Sequence, residues 1–200
     1  MADVLFGHAE PGGRSAVTFS RGAGTQPRFY NHRALSGGVP RQEHFDPVFC
    51  FGHGLSYTTF AYDDLEVAPA VVTTDGEFQV SCTVTNTGTR PGEEVAQLYL
   101  TDPLATVTRP VRELKGFARL RLGPGESARV TWSVPTDLVA FSGIDLRRRV
   151  EPGRILVGVG ASCEDVRLRG EVELVGDVRH PGPNRRLVTE VSVRALDCAD

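Results

Sequence analysis

The sequence predicts an all-β fold: a two-sheet antiparallel sandwich of about seven strands, preceded by an irregular N-terminal extension. Three observations predict it. From Tyr62 onward, apolar and polar residues alternate with period two in several separate runs, the pattern of strands that bury one face. Turn residues such as Asn86-Thr87-Gly88 and Gly123-Pro124-Gly125 separate the runs. The 22 Gly and 13 Pro suit many short strands rather than long helices. An apolar fraction of 40% is enough to form a core.

Taken in order, residues 1–20 read as the end of a helix followed by a strand. Ala2 to Phe6 is apolar and compatible with a helix, Gly7 and Pro11 are stop signals, and Ala16 to Phe19 is a short extended run. Residues 21–50 are irregular, with glycines, prolines and scattered His and Arg. So long a stretch is uncommon inside a compact domain, and reads as a functional connector or a poorly ordered one. Phe51 to Phe60, FGHGLSYTTF, reads as a tight loop made by Gly52 and Gly54, feeding an extended run from Ser56 to Phe60.

The alternation then begins. Phe78, Val80, Cys82 and Val84 share one face of a strand. Ala96, Leu98 and Leu100 share another, with Gln97 and Tyr99 opposite. Ala128, Val130, Trp132 and Val134 follow the same rule, as do Val166, Leu168, Val172 and Leu174. Arg154 to Ala161 is a further strand, apolar on both faces apart from its glycines. These assignments put Cys82 and Trp132 in the core. After about Val175 the chain turns polar, and the alternation of Leu187, Val191 and Val193 could add an edge strand.

Composition excludes several classes of function. The formal net charge is −3, and the densest cationic cluster, Arg147 to Arg149, reads as a solvated strand edge; no nucleic-acid partner is expected. No apolar stretch approaches the ~20 residues of a membrane span. The start lacks the basic region of a secretory signal, so a cytoplasmic location is the default. The four cysteines, Cys50, Cys82, Cys163 and Cys198, form no CxxC pair and read as reduced, mostly buried thiols. His8, His32, His44, His53 and His180 show no HxH or HExxH spacing, and no metal ligands and no cofactor are assigned.

FGHGLSYTTF, followed by Tyr62 and Leu65, resembles the junction that closes the α/β sandwich domain of family 3 glycoside hydrolases, the β-glucosidase and β-xylosidase group. VTNTGTRPGEEVAQLYLTDP (84–103), RELKGFARLRLGPGES (112–127) and VEPGRILVGVGASCEDVRL (150–168) resemble the fibronectin type III-like domain of that family. At the front, ADVLFG, PGGR and VTF resemble the last helix and strand of its second domain. The likeness covers residues 1 to about 170. It departs at SAVTFS (15–20), where the family carries two more prolines, at Cys50, where it carries Pro, and at Arg147 to Arg149, where it often has Trp.

The resemblance implies a fibronectin type III-like, immunoglobulin-like sandwich over 62–175. It makes 1–50 a remnant of the α/β sandwich domain and connector, 51–61 the junction and 176–200 a polar tail. Family 3 enzymes are expected to use two carboxylates in the retaining mode. By resemblance the nucleophilic Asp belongs to a barrel domain, which needs about 250 residues, and the acid to the α/β domain ahead of this helix. No catalytic residue is therefore assigned in this chain, and the substrate-binding residues are unknown. Glu10, Asp46, Glu93 and Glu94 read as turn or strand-end carboxylates, and neighbours such as Glu93 and Glu94 point to opposite faces of a strand. Tyr30-Asn31-His32 reads as loop packing, or as an active-site rim in a whole enzyme.

The expected role is a C-terminal accessory segment, inactive alone, whose partner is a catalytic glycoside hydrolase fragment contacted through residues 1–60. Val4, Leu5, Phe6, Val17 and Phe19 look like core residues of a larger domain, and must fray, pack back on the sandwich or find another chain. The alternative is a stand-alone module that binds carbohydrate or protein. The inward parity of Trp132 and the isolation of Tyr99 speak against a sugar-stacking face.

Overall fold

The computed structural model describes residues 2–26, 28–33 and 46–196. A single helical turn, α1 (Ala2–Leu5), is followed by β1 (Phe60–Ala68), β2 (Val71–Thr73), β3 (Glu77–Asn86), β4 (Gly92–Thr101), β5 (Glu113–Leu122) and β6 (Ser127–Pro135). Then come β7 (Phe141–Ser142), β8 (Arg148–Arg149), β9 (Gly153–Gly160), β10 (Val166–Val175) and β11 (Glu190–Leu196). One sheet has the order β1-β3-β6-β11, the other β2-β10-β9-β4-β5, and β7-β8 is a separate hairpin.

The core forms where the inward residues of the two sheets meet. Val80, Cys82 and Val84 of β3 and Val130, Trp132 and Val134 of β6 face Ala96, Leu98 and Leu100 of β4. Ile155, Val157 and Val159 of β9 and Val172 and Leu174 of β10 complete it. Cys82 and Trp132 are fully buried, as the alternation requires. Burial pushes the Cys82 thiol up to about 12, which suits an inert core cysteine. Trp132 lies in register between Val80 of β3 and Val191 of β11, at the middle of its sheet.

The architecture differs from the seven antiparallel strands expected. The two main sheets hold four and five strands, and β2 pairs parallel to β10. β2 and the β7-β8 hairpin contribute strands of three and two residues, too short to show an alternation. The edge strand of the tail is real but lies at Glu190–Leu196 rather than at 187–193. The tail reaches that position pinned by Arg179. Its guanidinium donates to the Thr74 carbonyl at 2.7 Å and to Asp137 at 2.5 Å, and Asp137 also accepts from the Arg186 N–H at 2.8 Å. Burial opposes the charge on Asp137, but these bonds outweigh it and hold the carboxyl below its ordinary value.

At the other end of the chain, the Ala16–Phe19 run does not form a strand. It contributes a single antiparallel bridge, Phe19 to Phe49. The Ser56–Phe60 run is also a loop, with regular structure only from Phe60. The Ser56 hydroxyl accepts from the Thr58 N–H at 3.0 Å, a local bond that competes with strand pairing.

Replacing Trp132 with Ala should cost about 3–5 kcal/mol, the range for emptying an aromatic site in a packed core. Equilibrium denaturation of W132A checks it. A loss under about 1 kcal/mol would mean that the site is not packed as described.

Candidate docking interface

The outer face of the five-stranded sheet carries polar and aromatic side chains that the sandwich core cannot serve. The N-terminal extension covers part of that face. Gln97 and Tyr99 of β4 point outward, yet both are almost fully buried. The Gln97 amide nitrogen donates to the Gly52 carbonyl at 3.2 Å and to the Ala161 carbonyl at 2.5 Å. Its carbonyl oxygen accepts from the Tyr99 hydroxyl at 2.6 Å. One amide therefore ties the junction loop, the end of β9 and a neighbouring ring together. Burial raises the Tyr99 hydroxyl well above its ordinary value and keeps it a neutral donor.

The junction is built for this contact. Gly52 has φ +81°, and a Cβ there would land on the Gln97 amide, so both conformation and space require glycine. Its N–H donates to the Ser15 carbonyl at 2.8 Å, and the Ser15 N–H returns to the His53 carbonyl at 2.8 Å. Cys163 donates its N–H to the Phe51 carbonyl at 3.1 Å. The Tyr30 ring stacks on Phe51 with centroids 4.2 Å apart and meets Tyr99 edge-on at 6.1 Å. The Tyr30 hydroxyl accepts from the Leu114 N–H at 3.1 Å, and the His32 carbonyl accepts from the Val111 N–H at 2.9 Å. Tyr30-Asn31-His32 is thus packed against β5 and the loop before it. Cys50 and Cys163 are buried beside these rings, and burial pushes the Cys163 thiol up to about 12. His44 and Cys198 lie outside the described residues.

A buried ion pair anchors the same segment further along β4. Arg14 donates to Glu94 at 2.7 Å, and the two side chains are 10% and 4% exposed. Glu94 also accepts from the Val95 N–H at 2.7 Å. Its neighbour Glu93 faces the other way and is gripped by Arg119 and Arg121 of β5. Those bonds hold the Glu93 carboxyl below its ordinary value. Sequence reasoning treated Glu94 as an ordinary strand-end carboxylate. The missed signal was its parity: Glu94 is in phase with Ala96, Leu98 and Leu100, and a charge at an inward position needs a buried partner.

Smaller contacts complete the anchoring. Glu10 accepts from the Ser56 hydroxyl and the Tyr57 N–H. The Tyr57 hydroxyl donates to the Val4 carbonyl, and Arg90 donates to the Gly7 carbonyl. The Thr58 hydroxyl donates to the fully buried Asn86 at 2.7 Å, and Asn86 itself donates to the carbonyls of Arg90 and Leu122.

With its polar side spent on the sheet, the extension leaves its apolar side in solvent. Phe6 is 78% exposed, Leu55 70%, Phe29 62% and Phe19 52%. Of the fates open to these residues, the backbone packs back on the sandwich while the large side chains stay uncovered. Exposed rings gathered on one segment are the composition that a candidate interaction surface has. Among the described residues, no group of three His, Cys, Asp or Glu converges as a metal site would, and no helix is long and apolar enough to cross a membrane.

Replacing Glu94 with Gln leaves Arg14 buried without its counter-charge. The chain should lose about 3–5 kcal/mol, or the extension should lift to solvate the guanidinium. Either way, trypsin should cut after Arg14 at least tenfold faster than in the parent chain. Unchanged cleavage together with an unchanged melting temperature would show that the pair does not hold the extension.

The fold and this junction can be compared with known proteins. A family model described as the fibronectin type III-like domain matches residues 94–163. A periplasmic beta-glucosidase of Salmonella typhimurium is 36% identical over 188 residues, covering 88% of this chain and 24% of that protein. Thermostable beta-glucosidase B of Acetivibrio thermocellus is 35% identical over 192 residues, covering 90% and 25%. The crystal structure of a Listeria innocua beta-glucosidase in complex with glucose superposes with a TM-score of 0.81 at 32% identity, over 88% of this chain and 26% of that one. The chain thus spans about a quarter of the length of the curated relatives it matches. In sequence and in fold, it belongs with the C-terminal, fibronectin type III-like segment of family 3 glycoside hydrolases.

Proposed function

We propose that the chain works as the accessory C-terminal segment of a family 3 glycoside hydrolase. It braces the catalytic domains through residues 1–60 and supplies neither the nucleophile nor the acid/base. The observation that carries this reading is the two-sided extension. Its backbone and polar groups are fixed to β4 and β9, while Phe6, Phe19, Phe29 and Leu55 face outward. A surface of that kind is complementary to an apolar neighbour. In this reading residues 1–50 are a remnant of the α/β sandwich domain and connector, 51–61 the junction, 62–175 the fibronectin type III-like domain and 176–200 the tail.

Three carboxylates of the described residues are already committed to arginines. Glu94 is neutralised by Arg14, Glu93 by two arginines and Asp137 by Arg179. A retaining glycosidase needs two carboxyl groups about 5–5.5 Å apart across an open sugar site. Trp132 and Tyr99, the two rings weighed for a sugar-binding module, are buried and offer no face to a pyranose.

A chimera tests the reading. The corresponding C-terminal segment of the Salmonella typhimurium enzyme is replaced by this chain, and turnover of an aryl β-glucoside is followed during heating. The chimera should be active, and the double change Phe6→Asp/Phe29→Asp, at two rings that are 78% and 62% exposed, should lower its inactivation temperature while leaving the melting of the isolated chain unchanged. The isolated chain should not turn over the glucoside. Turnover by the purified isolated chain, or a chimera indifferent to the double change, would refute the assignment.

A further inference from the structure

β11 ends its sheet. It pairs with β6, and among the described residues no strand pairs with its other edge. An uncovered edge is a template for another strand. The residues along this one read Val188-Thr-Glu-Val-Ser-Val-Arg-Ala-Leu196. Written against its own reverse and centred on Ser192, the run matches itself. Glu190 falls opposite Arg194, Val191 opposite Val193, and Val188 opposite Leu196. No other centre within the strand places both charges against their opposites. Centred on Val191, for example, Arg194 would face Val188; centred on Val193, Glu190 would face Leu196.

We propose that β11 is a self-pairing edge, and that two copies of this chain associate through it as antiparallel strands about a two-fold axis at Ser192. The two four-stranded sheets then run on as one continuous sheet. In an antiparallel pair, directly opposed residues lie on the same face, so the partners fall together correctly. Val191 and Val193, 41% and 49% exposed, lie in register with Trp132 and Val130 of β6. They therefore sit on the core side, where the second copy's valines complete their burial. Glu190 and Arg194 lie on the outer side, in register with Ser133 and Arg129. Arg129 is already engaged by Glu66 and Ser81 and gives Arg194 only a like charge. Neither Glu190 nor Arg194 takes part in any ion pair among the described residues. The second copy supplies both missing partners at once. A two-fold contact of this kind is self-complementary and closes at a dimer. One strand pair buries less than a standard interface, so the dimer is weak and dependent on concentration. This inference stands apart from the proposed function, since it uses neither the extension nor any catalytic partner.

Sedimentation equilibrium over about 1 µM to 1 mM, a range that brackets weak association, tests it on the full chain. The parent should shift from monomer to dimer. Glu190→Arg and Arg194→Glu should each weaken dimerisation at least tenfold, because like charges then face each other twice. The double variant E190R/R194E should recover it. An equimolar mixture of the two single variants should dimerise better than either alone. Melting temperatures verify that each variant is folded. A parent that stays monomeric throughout overturns the proposal. So does association that the single variants leave unchanged, which would place the contact elsewhere, for example on the exposed rings of the extension. Failure of both the double variant and the mixture to recover overturns it as well.

Discussion

A buried amide on the wrong side of a sheet governs how this molecule is arranged. Gln97 points away from the sandwich core, yet it is covered, and every polar atom it buries must find a partner. It finds them in the Gly52 carbonyl, the Ala161 carbonyl and the Tyr99 hydroxyl. The carbonyl of Gly52 is available because the junction bends back at a positive φ that only glycine adopts without strain. The bend sets Phe51 under Tyr30, and Tyr30 reaches the Leu114 N–H of β5. Arg14 and Glu94 repeat the logic with charge, and are more costly to break than an exposed pair. The extension is thus fixed by satisfied polar groups rather than by a core of its own.

That division of labour explains the exposed aromatics. Among its described residues the extension has only two short helical turns and two isolated bridges, too little regular structure to enclose Phe6 or Phe19. Its polar atoms are used on the inside, toward the sheet, and its rings are left on the outside. The relatives are about four times longer than this chain. An outward apolar surface of this kind is the feature that the proposed accessory role uses. The far edge of the other sheet, β11, is a separate surface with a separate chemistry, based on strand pairing and charge.

The sandwich was legible in the sequence because a period of two is a direct imprint of a half-buried strand. Cys82, Trp132 and the β3, β4, β6 and β10 runs follow from it, while β9 was read from an apolar run bounded by turn residues. The short strands were not legible: three residues in β2 and two in each of β7 and β8 cannot show a period. Ser56 to Phe60 carried strand-favouring residues, but its hydroxyls bond locally and to Glu10 and Asn86, which keeps the run in a loop. The docking side of the extension was hidden for a different reason. Arg14 and Glu94 are 80 residues apart, and no local pattern encodes such a pair. The sign the sequence did carry was a glutamate, Glu94, in the phase of the core. The family resemblance singled out residues 51–61 as a junction, and the structure adds which of its sides is spent on the sheet and which is free.

Amide hydrogen exchange of the isolated chain tests the central claim most directly, at Ser15, Gly52 and Cys163. These three N–H groups bond across the extension, the junction and the end of β9. The account predicts that all three are protected well above the rate of an unstructured peptide, and that they lose protection together when Gln97 is replaced by Ala. Exchange of Ser15 and Gly52 at the unstructured rate, with the β3 and β6 amides still protected, would contradict it and show that the extension is not held on the sheet.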